Sequence, residues 1–295
     1  MSINIGFIGP GIMGRPMALN LIKGGHELWV YARRAEALLP LTVAGATACA
    51  TPAEVAQHAD VIFTIVSDTP DVESVIFGED GIASCARRGS VIVDMSTISP
   101  TATKGFAGRL AQQGIEMLDA PVSGGETGAI NGTLSIMVGG KREVFERVKP
   151  LFECVGKSIV HIGDNGAGQV AKACNQIVVA VTIEAVAEAL TIARRNDVDA
   201  SKVREALMGG FAGSKIMEVH GKRMLDNDFK PGFKVGLHQK DMRIVMETAH
   251  QLGVALPAAA LVTQHLNALM GTGDADLDSA AIVKVVARMS GMGGN

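Results

Sequence analysis

A strand, a glycine-rich loop and a helix follow one another at the start of the chain. Residues 3–8 predict the strand, the loop GPGIMG occupies residues 9–14, and residues 12–23 have helical spacing. A second apolar run at residues 28–31 completes a βαβ unit of about thirty residues. This context indicates a dinucleotide-binding site rather than a chance glycine turn.

The glycines have separate roles in such a site. Gly9 permits the tight turn, Gly11 lets the backbone approach a pyrophosphate, and Gly14 lets the helix pack on the strand. The phosphates then face the helix N-terminus. The predicted cofactor-binding residues of this loop are Gly9, Pro10, Gly11, Ile12, Met13 and Gly14.

The end of the second predicted strand indicates which dinucleotide binds. An acid at this point would hold a ribose 2′-hydroxyl, but the chain has Ala32, Arg33 and Arg34 there. Two guanidinium groups suit a 2′-phosphate, since arginine donates paired hydrogen bonds to phosphate. We therefore predict NADPH or NADP⁺ as the preferred cofactor, with NADH possible. The alternative is that one of the two arginines is a solvated residue at a helix start.

Two further loops follow predicted strands. One begins with Val66 and Ser67 at the end of residues 60–66, and the other contains Thr97 after residues 91–94. In an open parallel sheet, ligands lie outside the carboxyl ends of the strands, so we predict that Val66, Ser67 and Thr97 contact the cofactor. An ordinary helix cap is the alternative for each loop.

The sequence DAPVSGG at residues 119–125 follows another predicted strand. Ser123, Gly124 and Gly125 can present a hydroxyl and consecutive N–H groups, which suit a carboxylate. A simple turn is the alternative interpretation. Further strands at residues 134–138 and 158–162, with a helix at residues 142–154 between them, end the first domain near residue 163.

The longest helical pattern runs to residue 195 without proline or glycine after Gly168. Its uncharged middle predicts a buried helix, and its internal amides argue against a membrane span. Lys172, Asn175 and Gln176 share one side of it, because residues three and four apart are neighbours on a helix. For Lys172 taken alone, the simpler interpretation is a side chain that extends to solvent.

The remainder shows only helical periods, at residues 201–208, 214–225, 235–252, 257–270 and 280–289. We therefore predict two domains: residues 1–163 bind NADP(H), and residues 164–295 form an all-helical substrate and oligomerisation domain that begins with a long interdomain helix at about residues 166–195. Phe233 ends a predicted turn, and Lys240 lies on the helix that follows. A surface pair with Asp241 is the alternative role for Lys240.

The net charge and the placement of cysteines and histidines argue against several functional classes. A net charge of −3 without long charge runs argues against a nucleic-acid or membrane partner. Four cysteines, far apart and without a CxxC pair, predict reduced, buried thiols in a cytoplasmic protein. Neither the cysteines nor the seven histidines have the spacing of a metal site, so we predict no metal.

Seven motifs in order resemble the β-hydroxyacid dehydrogenases, the family of 3-hydroxyisobutyrate dehydrogenase. They are GFIGPGIMG (residues 6–14), DMSTISP (94–100), DAPVSGG (119–125), GTLSIMVGG (132–140), GAGQVAKACNQ (166–176), MGGFAGS (208–214) and PGFKVGLHQKD (231–241). The resemblance covers nearly the whole chain. It implies an α/β Rossmann domain, a long interdomain helix and an all-α domain, in a homodimer or homotetramer.

The resemblance also implies roles for individual residues. Lys172 becomes the catalytic residue, Ser123, Gly124, Gly125 and Asn175 the substrate-carboxylate site, and Thr97 and Lys240 cofactor contacts. Phe233 becomes a wall beside the nicotinamide. Family members that use NAD tend to carry an acid where this chain has Ala32, which supports NADPH.

The implied reaction is reduction of a small semialdehyde, with tartronate semialdehyde (2-hydroxy-3-oxopropanoate) to D-glycerate preferred and Lys172 as proton donor. The alternatives are another small-semialdehyde or glyoxylate reduction, or oxidation of 3-hydroxyisobutyrate, because few contacts set substrate size. A non-catalytic module that senses NADPH is the alternative of another class.

Overall fold

The computed structural model describes residues 3–292, which divide into two compact units. The first unit ends at Lys172 and the second begins at Ala173. The first combines a mostly parallel sheet with helices, and the second is all-helical. The predicted fold class, an α/β Rossmann domain followed by an all-α domain, is confirmed.

The sheet of the first unit contains nine strands within residues 3–292, in the order β3-β2-β1-β4-β5-β6-β8-β7, with β9 paired to β8. Ile5 of β1 lies opposite both Leu28 and Val61, so β1 is central and parallel to its two neighbours. The strands are β1 (Ile5–Ile8), β2 (Leu28–Tyr31), β3 (Thr47–Ala48), β4 (Val61–Thr64), β5 (Val91–Asp94), β6 (Glu116–Asp119), β7 (Val122–Ser123), β8 (Leu134–Gly139) and β9 (Gly156–Gly163).

Alternation along the strands builds an apolar core on each face of this sheet. Phe7 packs with Phe63 and Phe152 in one core, whereas Ile8 and Ile62 belong to the other. The helices of this unit are α1 (Gly14–Lys23), α2 (Leu39–Val43), α3 (Pro52–His58), α4 (Thr69–Phe77), α5 (Pro100–Gln112), α6 (Gly125–Asn131) and α7 (Arg142–Val155). Successive side chains point to opposite faces of a strand, which explains the two cores.

The sheet was expected to be parallel, but β8 departs from this arrangement. This strand runs antiparallel to β6 and β7 and parallel to β9. Residues 124–133, which include α6, join β7 to β8. A parallel return needs a crossover of a dozen or more residues, so this short connection imposes the antiparallel direction.

The second unit has one apolar core, to which α8 contributes Ile183 and Leu190. Its helices are α8 (Ala167–Arg195, which begins in the first unit), α9 (Ala200–Met208), α10 (Lys215–Asp226), α11 (Val235–Leu252), α12 (Pro257–Gly271) and α13 (Ile282–Met289). Short 3-10 helices occupy Ala35–Leu38, Ile82–Ser84 and Ser279–Ala281.

The prediction that α8 buries its apolar residues is wrong for one face. Val170, Cys174 and Val178 are exposed, whereas Gln169 and Gln176 are buried. The buried polar groups are hydrogen-bonded, which removes much of the cost of burial. The prediction of buried thiols is confirmed only for Cys49, because Cys85 and Cys154 are half-buried and Cys174 is exposed. Within residues 3–292, α8 is the one helix long and apolar enough to span a membrane by length and composition alone, and 44% of its most apolar window is buried.

Candidate active site

The glycine loop between β1 and α1 has little room for side chains at two of its glycines. Gly9 has φ +91°, a conformation that favours glycine, and a Cβ there would lie 2.2 Å from the Ile65 carbonyl oxygen. A Cβ on Gly14 would lie 2.2 Å from the Gly9 carbonyl oxygen. Gly11, by contrast, faces open space. The loop thus has the tight turn, the close packing and the accessible backbone that a dinucleotide needs.

The other predicted cofactor residues of this loop differ in exposure. Pro10 is buried, Met13 packs against the core, and Ile12 is exposed. Exposed apolar side chains are common singly, so Ile12 alone indicates no ligand.

Both predicted arginines are exposed just beyond the end of β2. Arg33 forms an ion pair with Asp71, with 3.3 Å between Nη1 and Oδ1, and its side chain is 77% exposed. Exposed pairs of this kind contribute little to stability. Arg34 precedes the 3-10 helix and makes no side-chain cap, which leaves the alternative of a helix-start residue open for it.

The loops after β4 and β5 are bonded to each other. The Val66 N–H donates to Ser96 Oγ over 2.9 Å, and the Ser99 N–H donates to Thr69 Oγ1 over 3.1 Å. Ser67 is exposed, and Thr97 is half-buried beside this connection. Both loops lie at the carboxyl ends of neighbouring parallel strands, where the sheet topology favours a ligand.

Ser123 ends β7, and its two following glycines have left-handed backbone conformations. Gly124 has φ +135° and Gly125 has φ +62°, and both are exposed. Glycine adopts these angles without strain. The structure thus presents the two glycines of the predicted SGG segment at the surface of the first unit, with Ser123 half-buried, and the unpredicted helix α6 begins at Gly125.

Lys172 is buried in the first unit, with 7% of its surface exposed. Its Nζ donates to the Val122 carbonyl oxygen over 2.8 Å, so it lies beside the residue that precedes Ser123. The alternative in which Lys172 extends to solvent is therefore wrong. A buried ammonium next to the Ser-Gly-Gly segment, whose two glycines are exposed, is a candidate proton donor.

Two buried residues near Lys172, Asp119 and Gln169, lie in the sequence motifs but had no predicted role. Asp119 accepts from the N–H groups of Gly166 and Gln169 over 2.7 and 3.0 Å. Gln169 bonds with its side chain to Ser96 and Ile98, on either side of Thr97. Burial raises the pKa of Asp119 from 3.8 to about 6, and nearby Asp94 adds to the rise, while the backbone N–H donors oppose it.

In the second unit, the predicted residues form a chain of hydrogen bonds. Asn175 Nδ2 donates to Gln176 Oε1 and Gln176 Nε2 donates to Asp241 Oδ2, each over 2.7 Å. Lys240 Nζ pairs with Asp241 Oδ1 over 2.7 Å, and the two side chains are only 14% and 4% exposed. The alternative of a surface pair for Lys240 and Asp241 is therefore wrong.

Phe233 lies in a loop that Asp278 anchors. Asp278 Oδ2 accepts from the N–H groups of Gly232 and Phe233 over 3.0 Å each. The Phe233 ring packs against His238 with 5.2 Å between ring centroids. The loop conformation thus depends on a buried carboxylate that the sequence motif did not include.

Two family models together match most of the chain. Residues 4–163 match the NAD-binding domain of 6-phosphogluconate dehydrogenase. Residues 166–286 match the family described as NAD-binding of NADP-dependent 3-hydroxyisobutyrate dehydrogenase. The chain belongs to the 3-hydroxyisobutyrate dehydrogenase-like family of β-hydroxyacid dehydrogenases. It is therefore an NAD(P)-dependent oxidoreductase that acts on CH–OH groups, as the resemblance implied.

Individual members of this β-hydroxyacid dehydrogenase family support the assignment. The 2-hydroxy-3-oxopropionate reductase of Escherichia coli K12 is 50% identical over 98% of both chains. The structure of Mycobacterium tuberculosis 3-hydroxyisobutyrate dehydrogenase with L-serine has a TM-score of 0.88 at 31% identity, covering 97% of this chain and 99% of that one. The structure of 3-hydroxyisobutyrate dehydrogenase from Salmonella typhimurium has a TM-score of 0.87 at 29% identity, covering 96% and 100%.

Proposed function

We propose that the protein reduces tartronate semialdehyde (2-hydroxy-3-oxopropanoate) to D-glycerate with NADPH, and that Lys172 donates the proton. The observation that carries this is the burial of Lys172 beside β7, with its Nζ 2.8 Å from the Val122 carbonyl oxygen. Likeness to the Escherichia coli reductase supports the choice of substrate.

NADPH supplies the hydride when bound. The glycine loop at residues 9–14, Val66, Ser67 and Thr97 would hold the cofactor, and Phe233 and Lys240 are carried over as further contacts from the family resemblance. Arg33 and Arg34 would bind the 2′-phosphate, because both are exposed cations at the end of β2. The carboxylate that NAD would need at this position is replaced by Ala32.

Lys172 would protonate the aldehyde oxygen as the carbonyl carbon gains hydride. An ammonium stabilises the negative charge that develops on this oxygen and then neutralises it by proton transfer. Ser123, Gly124 and Gly125 would bind the substrate carboxylate through a hydroxyl and N–H groups, and Asn175, one helical turn after Lys172, would orient the substrate.

We also propose that the enzyme is a cytoplasmic homodimer or homotetramer, with residues 1–163 and 164–295 as its cofactor and substrate domains. Exposed apolar residues on α8, among them Val178 and Ile192 at 66% and 65% exposure, support self-association. The four cysteines are free thiols, which is typical of a reducing compartment.

The decisive experiment replaces Lys172 and follows NADPH absorbance. We expect Lys172→Ala to lower kcat with tartronate semialdehyde by about 100- to 10,000-fold, the usual contribution of a general acid, while NADPH still binds. Lys202→Ala removes an exposed lysine on α9 and serves as the matched control. Retention of most activity by Lys172→Ala would refute the assignment.

A substrate panel separates the alternatives. Tartronate semialdehyde, methylmalonate semialdehyde, succinic semialdehyde and glyoxylate are compared by kcat/KM with the wild-type enzyme. A higher value for another aldehyde assigns the enzyme to that substrate instead. NADPH binding without turnover of any of them indicates a sensor module.

The cofactor preference is tested with Arg33→Ala/Arg34→Ala. Loss of charge-assisted hydrogen bonds to a phosphate should raise the KM for NADPH by about 10- to 100-fold and leave that for NADH nearly unchanged. Arg142→Ala, which removes an exposed ion pair on α7, is the control. Equal effects on both cofactors would count against a 2′-phosphate site.

A further inference from the structure

The start of α8 is held by a residue far away in the sequence. Several other helices are capped by the side chain of the residue immediately before them, such as Thr51, Ser99 and Asp199. At the start of α8, the N–H groups of Gly166, just before the helix, and Gln169 instead donate to Asp119 Oδ1 and Oδ2, 47 and 50 residues earlier at the end of β6. Asp119 therefore fixes the first turn of α8 to the sheet itself.

The backbones of two glycines pack closely against Asp119. A Cβ on Gly139 of β8 would lie 2.6 Å from Asp119 Oδ1, and a Cβ on Gly168 of α8 would lie 2.5 Å from the Asp119 carbonyl oxygen. Real Cβ contacts are essentially never this short. The first turn of α8 and the sheet are therefore in close contact beside Asp119, with no room for a side chain at either glycine.

Gln169 extends the contact to the loop of Thr97. Its N–H donates to Asp119, its Nε2 donates to the Ser96 carbonyl oxygen over 2.8 Å, and its Oε1 accepts from the Ile98 N–H over 3.1 Å. Gln169 is 2% exposed, so these bonds are shielded from water. One helical turn thus holds a predicted cofactor loop in place.

Lys172 follows Gln169 by three residues and is fixed at a second point. Its Nζ donates to Val122, which lies three residues after Asp119 on the strand side. The backbone of Lys172 is set through Asp119 and its ammonium through Val122. A shift of the first turn of α8 would move the ammonium relative to Ser123.

We propose that Asp119 is a positioning residue, whose carboxylate sets the place of Lys172 through the first turn of α8. The proposal depends on the proposed catalytic role of Lys172. Burial of this charge is unfavourable, since no Lys, Arg or His side chain among residues 3–292 forms an ion pair with it, and desolvation raises its pKa to about 6. A costly charge retained beside a reactive group is expected at functional sites.

The test compares Asp119→Asn with the wild-type enzyme. The amide keeps the shape but places an N–H against a backbone N–H, so the first turn of α8 must move. We expect kcat to fall by about 10- to 100-fold, the effect of a displacement of about 1 Å, and the KM for NADPH to change less than about threefold. Asp199→Asn, which alters an exposed N-terminal cap of α9, is the matched control with unchanged kinetics.

A second measurement reports on Lys172 without turnover. Lysines are acetylated with a limiting reagent and quantified by peptide mass spectrometry. Lys172 should react several-fold faster in Asp119→Asn than in the wild type, while exposed Lys202 reacts equally in both. Asp119→Glu, which keeps the charge but has no room to lengthen, should show the same direction of change.

The outcomes distinguish this proposal from the proposed function. Unchanged acetylation of Lys172 in both variants overturns the positioning role, whatever happens to kcat. Failure of both variants to fold also overturns it, because the carboxylate then serves the fold as a whole. Faster acetylation with unchanged kcat supports the positioning role and refutes Lys172 as the proton donor.

Discussion

Two buried aspartates, one in each unit, hold predicted site residues by different means. Asp119 and Asp278 are both at most 1% exposed, and each accepts hydrogen bonds from backbone N–H groups. Asp278 also has basic neighbours: Arg223 Nη1 lies 3.1 Å from Oδ2, and His220 Nε2 lies 3.9 Å from Oδ1. Asp119 instead lies near a second acid, Asp94.

Asp278 stabilises a loop of the fold, whereas Asp119 holds the turn next to the proposed catalytic residue. The charge of Asp278 is compensated, so its loop, which carries Phe233, gains stability from it. Burial disfavours the charged form of Asp119, and its hydrogen bonds hold the turn before Lys172.

Removal of the Asp278 carboxylate, whose charge is compensated, should have the largest effect on the free energy of unfolding. Asp278→Ala leaves Arg223 and three backbone N–H groups without their acceptor. We expect the free energy of unfolding of the second unit to fall by about 3–5 kcal/mol, measured by chemical denaturation. Asp276→Ala removes an exposed ion pair with Lys234 and should change little. Equal effects of the two variants would contradict the distinction.

The buried carboxylate of Asp119 should make the stability of the protein depend on pH. Because the folded state raises the pKa of Asp119 from 3.8 to about 6, the folded protein binds this proton more tightly than the unfolded chain. Stability therefore falls as pH rises from about 4 to about 6. The wild type should lose about 3 kcal/mol relative to Asp119→Asn over this range, and parallel unfolding curves would contradict the prediction.

Alanine substitutions at Gly168 and Gly232 compare the packing around Asp119 and Asp278. The Cβ of Gly168→Ala would lie 2.4 Å from the Met137 carbonyl oxygen, whereas that of Gly232→Ala would lie 3.0 Å from Arg223 Nη2 at the end of a flexible side chain. We expect Gly168→Ala to cost about 1–3 kcal/mol in thermal unfolding and Gly232→Ala to cost less. The reverse order would show that backbone packing at α8 is looser than the geometry indicates.

Local patterns predicted much of this fold from the sequence. The strand Leu28–Tyr31 and the helix Val235–Leu252 have the predicted bounds, because periodicity and flanking glycines mark them directly. Asp119 and Gln169 were missed because their partners lie 47 to 73 residues away, and no spacing within one element reveals such contacts. The same limit made Asp241 resemble a surface residue, although it bonds to Gln176 on another helix.

The smallest effect concerns His220, the weaker basic neighbour of Asp278. Burial lowers its pKa below 6.5, with Arg223 acting in the same direction and Asp278 opposing. The folded state therefore disfavours the imidazolium, and stability is lost as pH falls below about 6.5, by no more than about 1.4 kcal/mol per pH unit. The wild type compared with His220→Gln in thermal unfolding at pH 5 to 7 measures this loss. In an Asp278→Asn background, the carboxylate that favours the imidazolium of His220 is absent, so stability should fall more steeply as pH falls. An unchanged slope would show that Asp278 does not act on His220, and that the charge of Asp278 is compensated by Arg223 alone.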